Sequence, residues 1–150
     1  MGVIEFEKWH GIGNSYLLMH QHSLPARGDG EYDLPAEYVS VLCDHNFGPG
    51  SDGILVIGSS SVADARMRIH NPDGSMAEMC GNGIRMAARY LHEHGLVADR
   101  SCTIETAGGI MRPELVGTDT VRVDMGTAVT EGRDTITLPT GEHVTGRVVS

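Results

Sequence analysis

Cys80 stands immediately before Gly81, Asn82 and Gly83, and this Cys-Gly-Asn-Gly step opens a stretch with helical periodicity. Ile84, Ala87, Ala88 and Leu91 recur at i, i+3, i+4 and i+7, the spacing of one apolar helix face. They predict a helix over about residues 82–94, with Gly95 as its left-handed C-terminal cap. A thiol just before a helix start faces amides that have no partner within the helix, and the helix dipole adds partial positive charge there. Both favour the thiolate, which makes Cys80 an available base. The glycines leave the same amides open to a carboxylate.

A cysteine taken alone is more often a small buried apolar group. That is the expectation for Cys43, near the end of another predicted helix, and for Cys102, at the opening of a strand, since neither has glycine-rich surroundings.

The elements that must hold Cys80 are mostly short strands, marked by apolar–polar alternation between glycine and asparagine turns. Ile4 and Phe6 alternate with Glu5 and Glu7, and Ser15 to His20 returns as a partner after the turn HGIGN. Ile54 to Ile57 is a continuous apolar run that suits a strand buried on both faces. Ala65, Met67 and Ile69 alternate with Arg66, Arg68 and His70, as in a strand with one wet face. Thr103–Thr106, Met111–Val116 and Thr120–Met125 continue the pattern, the last two joined by the turn GTDT. A first helix is expected over Pro35–Asp44, with Leu34, Tyr38, Val41 and Leu42 on one face. The expected class is α+β, an antiparallel, barrel-like sheet wrapped around a helix.

Length and charge bound the function. With 150 residues, 40% of them hydrophobic, the chain can build a real core. Eleven basic against twenty acidic residues, without long runs of either sign, disfavour a nucleic-acid or anionic-membrane partner. The charged N-terminal segment lacks the apolar core of a signal peptide, and no stretch approaches a membrane span, so a cytoplasmic protein with three reduced thiols is expected.

Other patterns lead elsewhere and fail on their context. GPGSDG at 48–53 fits a dinucleotide-binding loop only if a helix follows, and Ile54–Ile57 reads as strand. His20 with His22 and His92 with His94 lack a completing ligand, so a solvated surface is expected and no metal. Lys8 alone could form a Schiff base, and it falls in a strand.

The run NPDGSMAEMCGNGIR, Asn71 to Arg85, resembles the signature of diaminopimelate epimerases. KWHGIGNSY at 8–16, DHNFGPGSDGILVI at 44–57, ETAGG and VRVDMG resemble further stretches of that family in the expected order. The resemblance implies an amino-acid epimerase without metal or organic cofactor, in which two cysteines on opposite faces of an α-carbon exchange its proton. It implies that Cys80 is one of the pair, that the Gly81 and Asn82 amides hold the substrate's α-carboxylate, and that Asn14 and Asn71 touch substrate, Asn71 at the distal amino-acid end. Without the family, Asn14 and Asn71 are equally well read as turn formers, and Asp73 and Gly74 as the turn itself. Arg85 and Arg89 are expected on a solvated face rather than paired with acids in a second domain.

Ser15 and Tyr16 stand where the family usually has aspartate and phenylalanine, and Trp9 replaces a common methionine. Gly53 stands where some members have glutamine, so no substrate contact is carried to it. The family fold has two similar halves, and no second Cys-Gly dipeptide occurs here. The expectation is residues 1–125 as an N-terminal domain carrying Cys80 and 126–150 as the start of a truncated second domain. The partner cysteine would come from the missing C-terminal half or from a second copy in a homodimer. A related racemase of the same fold, or an inactive half with a structural role, is the alternative.

Overall fold

The computed structural model describes residues 3–25, 32 and 34–149. Met1 and Gly2, which begin the expected first domain, and Ser150, which closes the expected second, lie outside the described residues. The strands are β1 (Glu7–Gly11), β2 (Asn14–His20), β3 (Ile54–Gly58), β4 (Ala65–His70), β5 (Met76–Ala77), β6 (Ile104–Thr106), β7 (Gly109–Met111), β8 (Glu114–Leu115), β9 (Val121–Arg122), β10 (Thr130–Thr137) and β11 (His143–Val149). Among the described residues two α-helices interrupt them, α1 (Ala36–Cys43) and α2 (Gly81–Glu93).

The main sheet has seven strands in the order β1-β2-β3-β4-β6-β7, with β5 also paired to β4. Two pairings are parallel, β2 with β3 and β4 with β6. Each follows a connection that contains a helix, the length of chain needed to return a strand in the same direction. The sheet is therefore mixed, which corrects the expected antiparallel arrangement, and its pairing path ends at β1 and β7 without closing. The α+β mixture of elements holds.

Register sorts the side chains into two cores. Leu18 pairs with Leu55, Leu55 with Ile69 and Ile57 with Met67 on the face that meets Ile84, Ala87, Ala88 and Leu91 of α2. Leu17 pairs with Ile54 and Met19 with Val56 on the other face, against Leu34, Val39 and Cys43. Every residue of β3 is buried, as its unbroken apolar run predicted. The opposite face of β4 is drier than its alternation implied. His70 lies across from Ile54, on the side covered by α1, and is buried, while Arg66 and Arg68 are half-buried.

Other elements differ from the expected pattern locally. The β1–β2 ladder runs from Glu7↔Leu18 to Gly11↔Asn14, so Ile4 and Phe6 precede the strand. The α1 face is also rotated, since Val39 and Cys43 are buried while Tyr38 and Val41 are 40% and 61% exposed. Leu34 is buried and Leu42 packs partly against the same core. Met111–Val116 divides at Pro113, which cannot donate to a ladder, into β7 and β8. The hairpin of β8 and β9 turns at GTDT as expected. Gly95 has φ +64°, and the amides of Gly95 and Leu96 bond back to His92 and Leu91, a Schellman ending for α2. β10 and β11 form a separate two-stranded sheet, exposed along nearly its whole length. Among the described residues no helix is long and apolar enough to cross a membrane.

The rotated α1 face separates two substitutions of the same type. Val39→Ala should cost about 2 kcal/mol in urea unfolding, from lost burial and a residual cavity. Val41→Ala should stay within about 0.5 kcal/mol. A second outcome concerns Asp64, whose exposed carboxylate accepts from the Thr103 hydroxyl and amide, tying the start of β4 to the approach of β6. These bonds hold its pKa below the ordinary carboxylate value. The stabilisation is thus complete above the unfolded value of about 3.9 and is lost as pH falls through the lower folded value. The Tm deficit of Asp64→Ala should be full at neutral pH and shrink toward zero in acid.

Candidate functional site

Cys80 caps α2 from an extended backbone conformation, φ −144° and ψ 116°, and its Sγ accepts the Gly83 amide at 3.3 Å. The Cys80 carbonyl accepts the Ile84 amide at 2.8 Å, so the helix begins where the Cys-Gly-Asn-Gly step predicted. Gly83 sits at a close approach. A Cβ there would lie 3.3 Å from both the Leu55 side chain and the Cys80 Cβ, tighter than ordinary packing. Without a side chain at that position, the helix start can settle directly onto β3.

The thiol is half-buried and has a second donor, because the Tyr16 hydroxyl lies 3.5 Å from Sγ. Asn14 Oδ1 lies 3.9 Å from the same sulfur. Asn14 and Tyr16 are two residues apart on β2 and so share the sheet face that looks toward α2. The turn before them has φ of 55° at Ile12 and 85° at Gly13, the paired left-handed geometry of a tight two-residue hairpin. Ile12 is a β-branched residue in that unfavourable region and is 92% exposed beside the site.

A directed chain of hydrogen bonds runs past the thiol. Asp52 accepts from the Ser15 amide at 2.7 Å and from Asn14 Nδ2 at 3.1 Å. Asn14 Oδ1 accepts from Asn82 Nδ2 at 3.2 Å, and Asn82 Oδ1 accepts from the Arg85 guanidinium. A carboxylate at one end and a guanidinium at the other fix which way each asparagine amide faces. The Ser15 amide, followed by Asn14, holds the Asp52 carboxyl below its ordinary pKa against a smaller opposing effect of burial. The Tyr16 phenol is held well above its ordinary value, first by burial and then by its hydrogen bond to Cys80.

The structure thus brings Asn14, Cys80 and Asn82 together, with Gly81 at the same helix start. Met125 reaches this end of α2, its Sδ and Cε within about 4 Å of where a Gly81 Cβ would stand. Asn71 sits apart from this chain of bonds, in the turn between β4 and β5. Its amide and side chain bond to Ser75, at 2.8 and 2.9 Å. Asp73 accepts from the Ser75 amide and hydroxyl and Gly74 has φ +84°, so both make the turn as expected. A groove of about 610 Å³ lies alongside, lined by Trp9, Ile12, Arg85, Arg89 and Asp119 among others, and does not include Cys80.

Arg85 and Arg89 lie half-buried on their side of α2, and both are engaged by neighbours. Arg85 braces Asn82, and Arg89 pairs with Glu93 at 2.6 Å and with Asp119 of the β8–β9 turn at 2.8 Å. The acid that reaches Arg89 comes from a hairpin folded against α2, a proximity that helix spacing cannot reveal. Tyr16 and Asp52 were not singled out as site residues from sequence. The period of two from Asn14 points to Tyr16, whereas Asp52 meets Asn14 only through the parallel β2–β3 register.

Cys43 and Cys102 are buried and free, as expected of structural thiols. Burial pushes both upward, Cys102 to about 11. The rings of His20 and His22 pack together, and His94 pairs with Glu7 at 2.7 Å. β3 follows directly on GPGSDG, so the helix that a dinucleotide loop needs is not there.

The family model described as diaminopimelate epimerase matches residues 6–131. A diaminopimelate epimerase of Desulforudis audaxviator is 43% identical over 128 residues, covering 82% of this chain and 44% of that protein. One of Desulfitobacterium hafniense is 40% identical over 150 residues, covering 95% of this chain and 51% of that protein. The chain spans about half the length of the curated relatives it matches. In fold it is similar to a probable proline racemase of Agrobacterium radiobacter, with TM-score 0.69 at 18% identity over 96% of this chain and 48% of that one. With the Cys-Gly-Asn-Gly helix start formed as the motif requires and the family model matched over most of its length, the chain belongs to the diaminopimelate epimerase family.

Proposed function

We propose that Cys80 is one of two thiol bases in an epimerase that interconverts LL- and meso-diaminopimelate without metal or organic cofactor. The observation that carries this is the position of Sγ at the cap of α2, between an amide and a hydroxyl donor, in a chain of this family. One thiolate removes the α-proton while the opposing thiol delivers a proton to the other face. The first amides of a helix have no carbonyl partner within it, so those of Gly81 and Asn82 suit the α-carboxylate. Fixed amide dipoles also stabilise charge that develops on the carboxylate as the proton leaves. Asn14 lies at the thiol and contacts the reacting end, and Asn71 serves the distal amino-acid end.

The second base belongs to a further half of the protein, with residues 1–125 forming the first domain and 126–150 beginning the next. The complete enzyme is cytoplasmic and acts in the supply of lysine and peptidoglycan precursors.

Solvent-deuterium incorporation at the α-carbon tests this directly. The complete protein should exchange diaminopimelate, and Cys80→Ala should slow it by at least about a hundredfold, the scale of losing a positioned base. The 150-residue chain, shown monomeric by sedimentation, should give negligible turnover. Exchange confined to another amino acid such as proline would overturn the substrate assignment in favour of a related racemase. Turnover by an assembled pair of these chains, abolished by Cys80→Ala, would mean that Cys80 faces Cys80 in a homodimer.

A further inference from the structure

We propose that Tyr16 is a positioning residue for the Cys80 thiol, its hydroxyl donating to Sγ and biasing the sulfur toward the anion. The inference rests on Cys80 acting as a base. Tyr16 occupies a place where the family resemblance predicts phenylalanine, which would fill the same space and offer no donor.

The ring is seated firmly. Tyr16 is 6% exposed and belongs to the core that α2 covers. Gly53, another of the positions that differ from some members of the family, lies against it. A Cβ on Gly53 would come within 2.7 Å of Tyr16 Cε1 and of the His70 carbonyl. The two departures therefore meet, with the ring resting on bare backbone and its hydroxyl 3.5 Å from Sγ. The raised phenol pKa keeps the hydroxyl protonated, and so a donor, throughout the range in which a thiol ionises.

The other titratable and charged groups around this pair act less directly. Asp52, from the loop before β3, bonds Asn14, and Arg85 of α2 bonds Asn82. Cys43, at the end of α1, is felt by Tyr16 only electrostatically. The Gly83 amide, on α2, is the second donor to Sγ. A hydrogen bond to the charged form of a group favours that form, so removing one of two donors should show in the ionisation of the sulfur.

The test is iodoacetamide alkylation of the complete protein across pH, read at the Cys80 peptide by mass spectrometry, with Tyr16→Phe as the variant. The expected result is a rise of about one unit or more in the pH at which Cys80 alkylation is half-maximal. The acid limb of the kcat profile should move with it while KM changes little. Slow alkylation of buried Cys102 in both proteins reports an intact fold. Biosynthetic 3-fluorotyrosine keeps the ring and makes it a stronger donor, so it should move the midpoint down. An unchanged midpoint in the folded phenylalanine variant, or with 3-fluorotyrosine should that variant not fold, overturns the proposal. If Cys80→Ala retains epimerisation, the thiol-base function fails, while the alkylation shift still measures the bond from Tyr16.

Discussion

Burial of one stripe of α2 against the main sheet is the contact from which the site takes its position. Ile84, Ala87, Ala88 and Leu91 lie against Leu18, Leu55, Ile57, Met67 and Ile69, all of them buried. Each large aliphatic side chain removed from water in this way contributes roughly 1.5–3 kcal/mol as an upper estimate. A thiol accepting one amide hydrogen bond contributes much less, since a typical neutral bond nets about 1 kcal/mol. The helix is thus placed by its apolar face and by the close seat of Gly83 on Leu55, and the cap follows. Cys80 is held at the helix start by packing elsewhere, so its sulfur does not have to hold the helix.

The second constraint is the parallel register of β2 and β3. Leu17 opposite Ile54 places residue 52 beside Ser15, and the Asp52 amide donates to the Ser15 carbonyl while its carboxylate takes the Ser15 amide. That double tie carries Asn14, and through it Asn82 and Arg85, into one line with opposite charges at its ends. Asn14 gains a defined orientation from groups 38 and 68 residues away in sequence, and Asn82 from Asn14 and from Arg85 on its own helix. The polar side of the site therefore depends on strand pairing, whereas the position of the thiol depends on helix packing. The two meet at Asn14 and Sγ.

This division explains what the sequence disclosed. The helix that begins after Cys80, its glycine ending, the buried run of β3 and the hairpin around Ile12 and Gly13 are local signals, and each appears where its pattern placed it. The sheet's parallel pairings depend on how two helix-containing connections return, which local alternation does not encode. The face of α1 differs from its pattern because Tyr38 and Val41 are apolar enough to suit a core, while the buried positions, Val39 and Cys43, are set by the sheet they meet. The burial of His70 and the pairing of Arg89 with Asp119 are likewise decided by what covers them. At the site, Cys80, Gly81, Asn82 and Asn14 were legible through a continuous motif and a turn. Asp52 was not, because its contact exists only after the sheet has formed.

The three cysteines differ in the surroundings that their local sequence gives them. Cys43 and Cys102 are 3% and 5% exposed, and desolvation resists charge on either sulfur. For Cys43 the Ser51 hydroxyl opposes that effect only in part, and for Cys102 the nearby Asp64 adds to it. Neither thiol is reachable by a substrate or favoured as an anion. Cys80 is only half-buried and has an amide and a hydroxyl directed at its sulfur. A base must be both reachable and able to hold charge, and those requirements conflict with deep burial. A helix start reconciles them, since its amides supply fixed donors where the backbone reaches the surface. The glycines beside Cys80 were therefore the meaningful part of the pattern, because they open that helix start without covering the sulfur.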